Sequence, residues 1–170
     1  MRFALLAAVF AIAAGCSPER DNVTAVDPED DRMNAAIAGA RASVDDFRAA
    51  VRSPPAGAIA FTVKKGFAVA DDPEGLEHIW VNDVRLDGEN FVGELGNEPV
   101  NDVGAKYEET VTVRPEDLSD WMYFVAPENG PPRLVGGFTM YAMNDILKGD
   151  ELEAFRSSLP FDFSAGPVTK

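Results

Sequence analysis

Apolar residues recur at helical spacing over residues 30–52. The steps between successive apolar positions alternate between four and three residues, which places them on one stripe of an α-helix. These positions are Met33, Ile37, Ala40, Val44, Phe47 and Val51. Asp30 and Asp31 suit the positive end of the helix dipole, and the Pro54-Pro55 pair ends the helix. We therefore predict one long amphipathic helix that packs on a sheet.

After this helix, apolar residues alternate with polar residues, as in strands that bury one face. In the first such stretch, residues 58–69, Lys64 points away from the buried side. Lys65 falls among the buried positions beside Gly66, where we expect a bend or bulge. Further strands are predicted at residues 77–86, 91–95, 107–113, 119–124 and 134–139. The last two flank a turn at residues 129–132 and form the most aromatic hairpin of the chain.

The order of these elements predicts a single α+β domain over residues 32–157. Its long N-terminal amphipathic helix packs on a curved antiparallel sheet of about six strands. Short C-terminal helices are predicted at residues 141–147 and 151–157, and a frayed tail at residues 158–170.

The N-terminal segment predicts export. Arg2 precedes residues 3–14, which are all apolar and too few to span a bilayer, as is typical of a signal peptide. The small residues 13–15 and Cys16 resemble the bacterial lipobox, in which the cysteine thiol receives a diacylglycerol. We predict a signal peptide over residues 1–15 and a lipid anchor on Cys16. An ordinary signal peptide followed by an incidental cysteine is the alternative.

Residues 16–31 are acidic and contain two prolines, so they are predicted to form a flexible tether. Ser17 favours sorting to the outer membrane, because aspartate at this position retains lipoproteins in the inner membrane of enterobacteria. The expected location is therefore the periplasmic leaflet of the outer membrane. The lipid is the expected contact with the membrane.

Charge narrows the range of partners. The chain has 29 acidic and 15 basic residues and a net charge of −14. Nucleic-acid binding requires clustered cations that displace counterions from phosphates, so we expect no nucleic-acid partner. Acidity favours solubility and leaves a basic protein as the partner that the charge suits. We expect the chain to be a monomer.

Several short motifs over residues 33–147 resemble a known bacterial family. They read Met33-Asn34-Ala35-Ala36-Ile37, Glu77-His78-Ile79-Trp80, Gly93-Glu94-Leu95-Gly96-Asn97-Glu98-Pro99, Ser119-Asp120-Trp121-Met122-Tyr123 and Leu134-Val135-Gly136-Gly137-Phe138-Thr139. The chain thus resembles the YegJ-like family, catalogued as domain of unknown function 2314. The resemblance implies the architecture of that family and brings no established activity, ligand or catalytic residue.

Few residues suit catalysis or metal binding. Cys16 is assigned to lipid, and a Gly-x-Ser-x-Gly elbow is absent from the sequence. The single histidine, His78, alternates with Trp80 in a strand, as a hydrogen-bonded sheet residue or a ligand contact would. A calcium loop aligned on Gly88 would place Arg85 at a ligand position. We predict no catalytic residue, metal or cofactor.

A candidate binding surface combines the histidine strand with the aromatic hairpin. Its residues are His78, Trp80, Asp120, Trp121, Tyr123, Gly136 and Gly137. Packing in the core is the alternative for the three aromatic rings, and a bend or close backbone approach is the alternative for the two glycines. Rings that share an exposed face near the glycines would form a flat recognition patch.

The predicted function is a non-enzymatic binding or inhibitory module that faces the periplasm. Its sharper form is an acidic inhibitor of a basic toxin or enzyme. The alternative is an envelope hydrolase that uses Asp120 or a neighbouring carboxylate, with His78 as proton carrier. A deep polar cleft would favour the enzyme, and a flat aromatic patch would favour the binder.

Overall fold

The computed structural model describes residues 30–126, 132–159, 161, 163 and 167. The predicted signal peptide, the lipidation site Cys16 and nearly all of the predicted tether lie outside these residues. Most of the predicted turn at 129–132 also lies outside them. In the part of the chain that is described, no helix is long and apolar enough to cross a bilayer.

The described residues form four α-helices and six strands. The helices are α1 (Asp31–Ala42), α2 (Val44–Arg52), α3 (Phe138–Ile146) and α4 (Gly149–Ser157). The strands are β1 (Ala58–Val69), β2 (Asp72–Asp87), β3 (Asn90–Leu95), β4 (Thr110–Val113), β5 (Leu118–Val125) and β6 (Arg133–Gly136). A 3₁₀ turn at Pro115–Asp117 leads from β4 into β5.

All six strands belong to one antiparallel sheet in the order β4-β3-β2-β1-β5-β6. The predicted α+β class, the six strands and the aromatic hairpin of β5 and β6 are therefore confirmed. The predicted irregularity at Lys65 is also confirmed, because the pairing of β1 with β5 shifts register between Lys64 and Lys65. The Lys65 ammonium reaches the carbonyl oxygen of Thr112 on the edge strand β4 at 3.4 Å, so the sheet is curled.

Helices α1 and α2 cover one face of the sheet, which we call the inner face. Phe47 of α2 is fully buried there and stacks on Trp121 of β5 with 5.2 Å between ring centroids. Val63 of β1 and Ile79 of β2 point to the same core. Because side chains alternate along a strand, Lys64 and Trp80 point to the opposite, outer face.

The prediction of one long N-terminal helix is wrong, because the helix breaks at Ser43 between α1 and α2. The Ser43 hydroxyl donates to the carbonyl oxygen of Gly39 at 2.8 Å, and a side-chain bond of this kind disturbs helical pairing. The indole N–H of Trp121 inserts at the same place, 3.0 Å from the Ala40 carbonyl oxygen and 3.2 Å from the Ser43 Oγ. The predicted apolar stripe nevertheless faces the sheet, since Ala40 and Phe47 are fully buried.

The predicted strand over residues 134–139 is too long. Strand β6 ends at Gly136, and both Gly136 and Gly137 adopt left-handed backbone angles, with φ of 77° and 71°. A Cβ at Gly136 would overlap the backbone oxygen of Trp121, which confirms the predicted close approach of another backbone. Helix α3 then begins at Phe138.

The predicted frayed tail makes contacts at its two described aromatic residues. Phe161 lies 5.7 Å from Phe124 of β5 between ring centroids. Phe163 lies 5.2 Å from Tyr141 of α3 and 5.6 Å from Phe155 of α4. These positions therefore pack against the sheet and the C-terminal helices.

Candidate functional site

A mixed polar and apolar patch lies on the outer face of the two central strands. We call it the outer patch and define it by Lys64, Gly66, Leu76, His78 and Trp80. Lys64 faces Trp80 across the strand pair, and Gly66 faces His78. Leu76 is 58% exposed and His78 is exposed, whereas Lys64 and Trp80 are half-buried. A solvated sheet face is usually polar, so an exposed leucine and a tryptophan here are unusual.

The ammonium of Lys64 lies over the Trp80 ring, 5.2 Å from its centroid, at the distance of a cation–π contact. Burial lowers the pKa of Lys64, and the charge of Asp120 acts in the opposite direction. Among the described residues, the ammonium has no hydrogen bond and no ion pair within 4.0 Å. Lys64 therefore presents a cation that is held in place by an aromatic ring.

His78 turns its Nδ1 inward and bonds Ser119 Oγ at 3.0 Å. Gly66 makes room for the ring, since a Cβ at Gly66 would come within 3.1 Å of the His78 Cε1. Burial of this edge lowers the pKa of His78 below its ordinary value, and the positive charges of Lys64 and Arg41 lower it further. The imidazole is therefore neutral near pH 7.

Asp120 is fully buried and caps helix α3 from the neighbouring strand. Its Oδ1 accepts hydrogen bonds from the backbone N–H groups of Trp121 at 2.8 Å and Phe138 at 3.1 Å. Its Oδ2 accepts two bonds from Thr139, from the backbone N–H at 2.7 Å and from the hydroxyl at 2.6 Å. Gly137 at the start of α3 has no side chain, so the cap must come from elsewhere. Burial raises the pKa of Asp120 to about 6, although the Thr139 hydrogen bonds and the charge of Lys64 lower it.

The structure brings together three of the predicted site residues. His78 and Trp80 belong to the outer patch, and Asp120 borders it because Lys64 faces Asp120 across β1 and β5. His78 also touches Ser119, the residue before Asp120, at the shift in strand register.

The other predicted residues do not join this patch. Trp121 is 0% exposed and Tyr123 is 5% exposed, and both belong to the core, so packing was the correct alternative for these two rings. A flat exposed patch of the three aromatic rings is therefore not formed. Gly136 and Gly137 turn the chain from β6 into α3, which places them at the buried cap of α3.

Sequence reasoning missed Leu76, Gly66, Ser119 and Arg41 as parts of this region. The alternation along β1 placed Lys64 on the outer face, but its neighbours on β2 depend on strand register. The second strand was predicted to begin at residue 77, whereas β2 begins at Asp72. Leu76 was therefore not predicted to be an exposed strand residue.

The chemistry available at the patch is limited. The Ser119 hydroxyl and the His78 imidazole have the spacing of a nucleophile and its base. Ser119, however, is only 1% exposed, so a substrate cannot reach its hydroxyl in this conformation. The described residues contain no group of three or more His, Cys, Asp and Glu side chains that could hold a metal ion.

Comparison with known proteins agrees with the motifs quoted above. The model of a family described as an uncharacterized protein conserved in bacteria (DUF2314) matches residues 30–163. The chain belongs to this family. DUF2314 thus covers the helices α1–α4 and the whole sheet. No solved structure matches the chain.

Two curated relatives that match the chain differ in how much of their own length the match covers. The chain is 27% identical over 155 residues to the uncharacterized protein YegJ of Escherichia coli, which covers 91% of this chain and 95% of YegJ. It is 35% identical over 97 residues to a putative ankyrin repeat protein of Neisseria meningitidis serogroup B. That match covers 57% of this chain and 36% of the relative, so the matching stretch spans about a third of the longer protein.

Proposed function

We propose that the chain is a non-enzymatic binding module whose working surface is the outer patch. The observation that carries this proposal is the exposure of Leu76, at 58%, on the same outward side of β2 as the half-buried ring of Trp80. Apolar side chains in such a position lose contact with water when a partner covers them, which favours association. The patch lies on β1 and β2, the two central strands of the sheet.

The hydrolase alternative receives less support from the same region. Each oxygen of Asp120 already accepts two hydrogen bonds, and the side chain is fully buried. A general acid or base must reach the substrate, directly or through one water molecule. His78 is exposed, but its Nδ1 is engaged by the buried Ser119. The Asp120 carboxylate therefore serves the fold of β5 and α3.

The partner that we propose is a basic protein. The net charge of −14 would attract such a protein at long range and speed its approach. Inhibition of a basic toxin or enzyme is the sharper form of this proposal. Apolar side chains of that partner would cover Leu76 and Trp80.

A pull-down from envelope extract at low salt tests the proposal. We expect the wild-type chain to recover a basic partner, and Leu76→Ala and Trp80→Ala to lose most of it. Ile59→Ala is the matched control, because Ile59 is a similarly exposed aliphatic residue, at 50%, outside the patch. Recovery of no partner, or equal recovery by all four chains, would contradict the proposal.

We also propose that the module is lipid-anchored through Cys16 on the periplasmic side of the outer membrane. The apolar residues 3–14, the small residues before Cys16 and Ser17 support this location. Mass spectrometry of the mature N-terminus should find an acylated Cys16 and no residues 1–15. A mature chain that retains these residues, or an unmodified Cys16, would contradict the anchor.

A further inference from the structure

Three basic residues lie around the first residues of β5, Arg41 on α1, Lys64 on β1 and His78 on β2. The Arg41 Nε donates to the carbonyl oxygen of Leu118 at 2.7 Å. The next residue, Ser119, bonds the imidazole of His78 at 3.0 Å. The residue after it, Asp120, is the cross-strand neighbour of Lys64. We call Arg41, Lys64 and His78 the basic cluster.

The basic cluster stands out in a chain with a net charge of −14. Asp120 is the carboxylate that Lys64 faces, but its oxygens are occupied by the four hydrogen bonds that cap α3. Asp117 precedes this stretch, and its two oxygens pair with Arg114 at 2.8 Å each. The carboxylate oxygens of Asp117 and Asp120 therefore already accept hydrogen bonds from groups outside the basic cluster.

The cluster has donors to offer. Within the described residues, Lys64 makes no hydrogen bond, and the bond from Arg41 to Leu118 uses Nε. When the Ser119 hydroxyl donates to Nδ1, the neutral His78 ring carries its proton on Nε2 and can donate it to a ligand. Arginine and lysine donors bind carboxylate and phosphate oxygens more strongly than neutral donors do.

We propose that Arg41, Lys64 and His78 form a binding site for an oxyanion, the carboxylate or phosphate group of a ligand. This inference rests on the proposed function, since the ligand would lie at the border of the outer patch, where Lys64 and His78 face the start of β5 and Arg41 reaches it from α1. It is compatible with a basic partner, because the net charge acts at long range whereas the cluster acts at contact. A basic protein also carries carboxylate groups.

Titration of the ¹⁵N-labelled chain with sodium phosphate, and separately with sodium acetate, tests the site by nuclear magnetic resonance. Sodium chloride holds the ionic strength constant. We expect at least one of the two anions to cause saturable shifts in the Trp80 indole and His78 imidazole signals. Saturation by acetate alone assigns a carboxylate site, and saturation by phosphate alone assigns a phosphate site; both support the inference.

Variants separate the cluster from general charge effects. Lys64→Gln should weaken anion binding by about tenfold or more, as expected for loss of a charged hydrogen bond. Lys106→Gln makes the same change of charge at an exposed lysine outside the cluster and should leave the affinity unchanged. Arg41→Gln, at an exposed position, should also weaken binding and provides a second variant if Lys64→Gln fails to fold.

Shifts that grow linearly with both anions, or equal weakening by Lys64→Gln and Lys106→Gln, would overturn the inference. The result is independent of the pull-down. Saturable anion binding with no recovered partner would contradict the proposed function and leave the oxyanion site standing. A recovered partner that needs Leu76 and Trp80, together with linear anion shifts, would support the proposed function and contradict the oxyanion site.

Discussion

Asp120 and Thr139 are joined by two hydrogen bonds that fix where helix α3 begins. The Asp120 Oδ2 accepts from the Thr139 backbone N–H at 2.7 Å and from its hydroxyl at 2.6 Å. The two residues are 19 positions apart, and both are buried. A carboxylate on a strand thus does the work that an N-cap side chain usually does within its own helix.

Asp120→Ala should destabilise the fold by about 3–5 kcal/mol, because it leaves several buried donors of β5 and α3 without an acceptor. Urea unfolding of the wild-type and variant chains measures this change in the free energy of unfolding. Thr139→Ser keeps both donors and is the control, with an expected loss of about 1 kcal/mol. Equal stability of Asp120→Ala and wild type would show that Asp120 does not hold α3.

Asp120 should also make stability depend on pH. The ordinary pKa of an aspartate, which applies to the unfolded chain, is 3.8, whereas burial raises the pKa of Asp120 to about 6 in the folded chain. Between these values the folded chain keeps a proton that the unfolded chain has lost. The bound proton stabilises the folded chain fully when the pH is below the pKa of Asp120 in the unfolded chain. This stabilisation, roughly 3 kcal/mol, is lost as the pH rises through the pKa of Asp120 in the folded chain.

The variant Asp120→Asn cannot titrate at this position. Comparing it with wild type therefore separates the effect of Asp120 from that of the other acidic residues. The stability of wild type relative to Asp120→Asn should therefore fall between about pH 4 and about pH 7. Urea unfolding at several pH values measures the difference. A difference that stays constant, or that grows with pH, would mean that the pKa of Asp120 is not raised.

Gly66→Ala should change the titration of His78. The new Cβ would come within 3.1 Å of the His78 Cε1 and push the ring away from Ser119. A ring displaced by a few tenths of an ångström loses part of the burial that lowers its pKa, so we expect the pKa of His78 to rise towards its ordinary value. Nuclear magnetic resonance of the imidazole protons measures the midpoint. The same midpoint in both chains would contradict the role given to Gly66.

Gly136→Ala should cost far more stability than Gly88→Ala. Both glycines have left-handed backbone angles, which cost about 1–2 kcal/mol for another residue. A Cβ at Gly136 would also overlap the backbone oxygen and the ring of Trp121, whereas a Cβ at Gly88 meets nothing within 4 Å. We expect a loss of about 3 kcal/mol or more for Gly136→Ala. Similar thermal midpoints for the two variants would contradict this difference.

Sequence periodicity predicted the elements whose pattern is local. The period of two placed Val63 inside and Lys64 outside, and the helical stripe placed Ala40 and Phe47 against the sheet. The motif resemblance predicted the family that the comparison then confirmed. These signals lie within single elements or short motifs.

Features that depend on distant residues were not predictable in the same way. The helix break at Ser43 involves the indole of Trp121, 78 residues away. The contact of His78 with Ser119 spans 41 residues and requires the register of three strands. The apolar run after β6 has strand-like composition, yet the two left-handed glycines turn it into a helix. Tertiary contacts decided each case.

The two tryptophans of the chain provide two separate optical signals. Trp121 is fully buried against Phe47, so its emission should report the folded core and resist quenching by iodide. Trp80 is half-buried beneath the Lys64 ammonium, where iodide can approach. A ligand on the outer patch should shield Trp80 and leave Trp121 unchanged. Fluorescence from the unlabelled chain can therefore distinguish occupation of the surface from a change in the core.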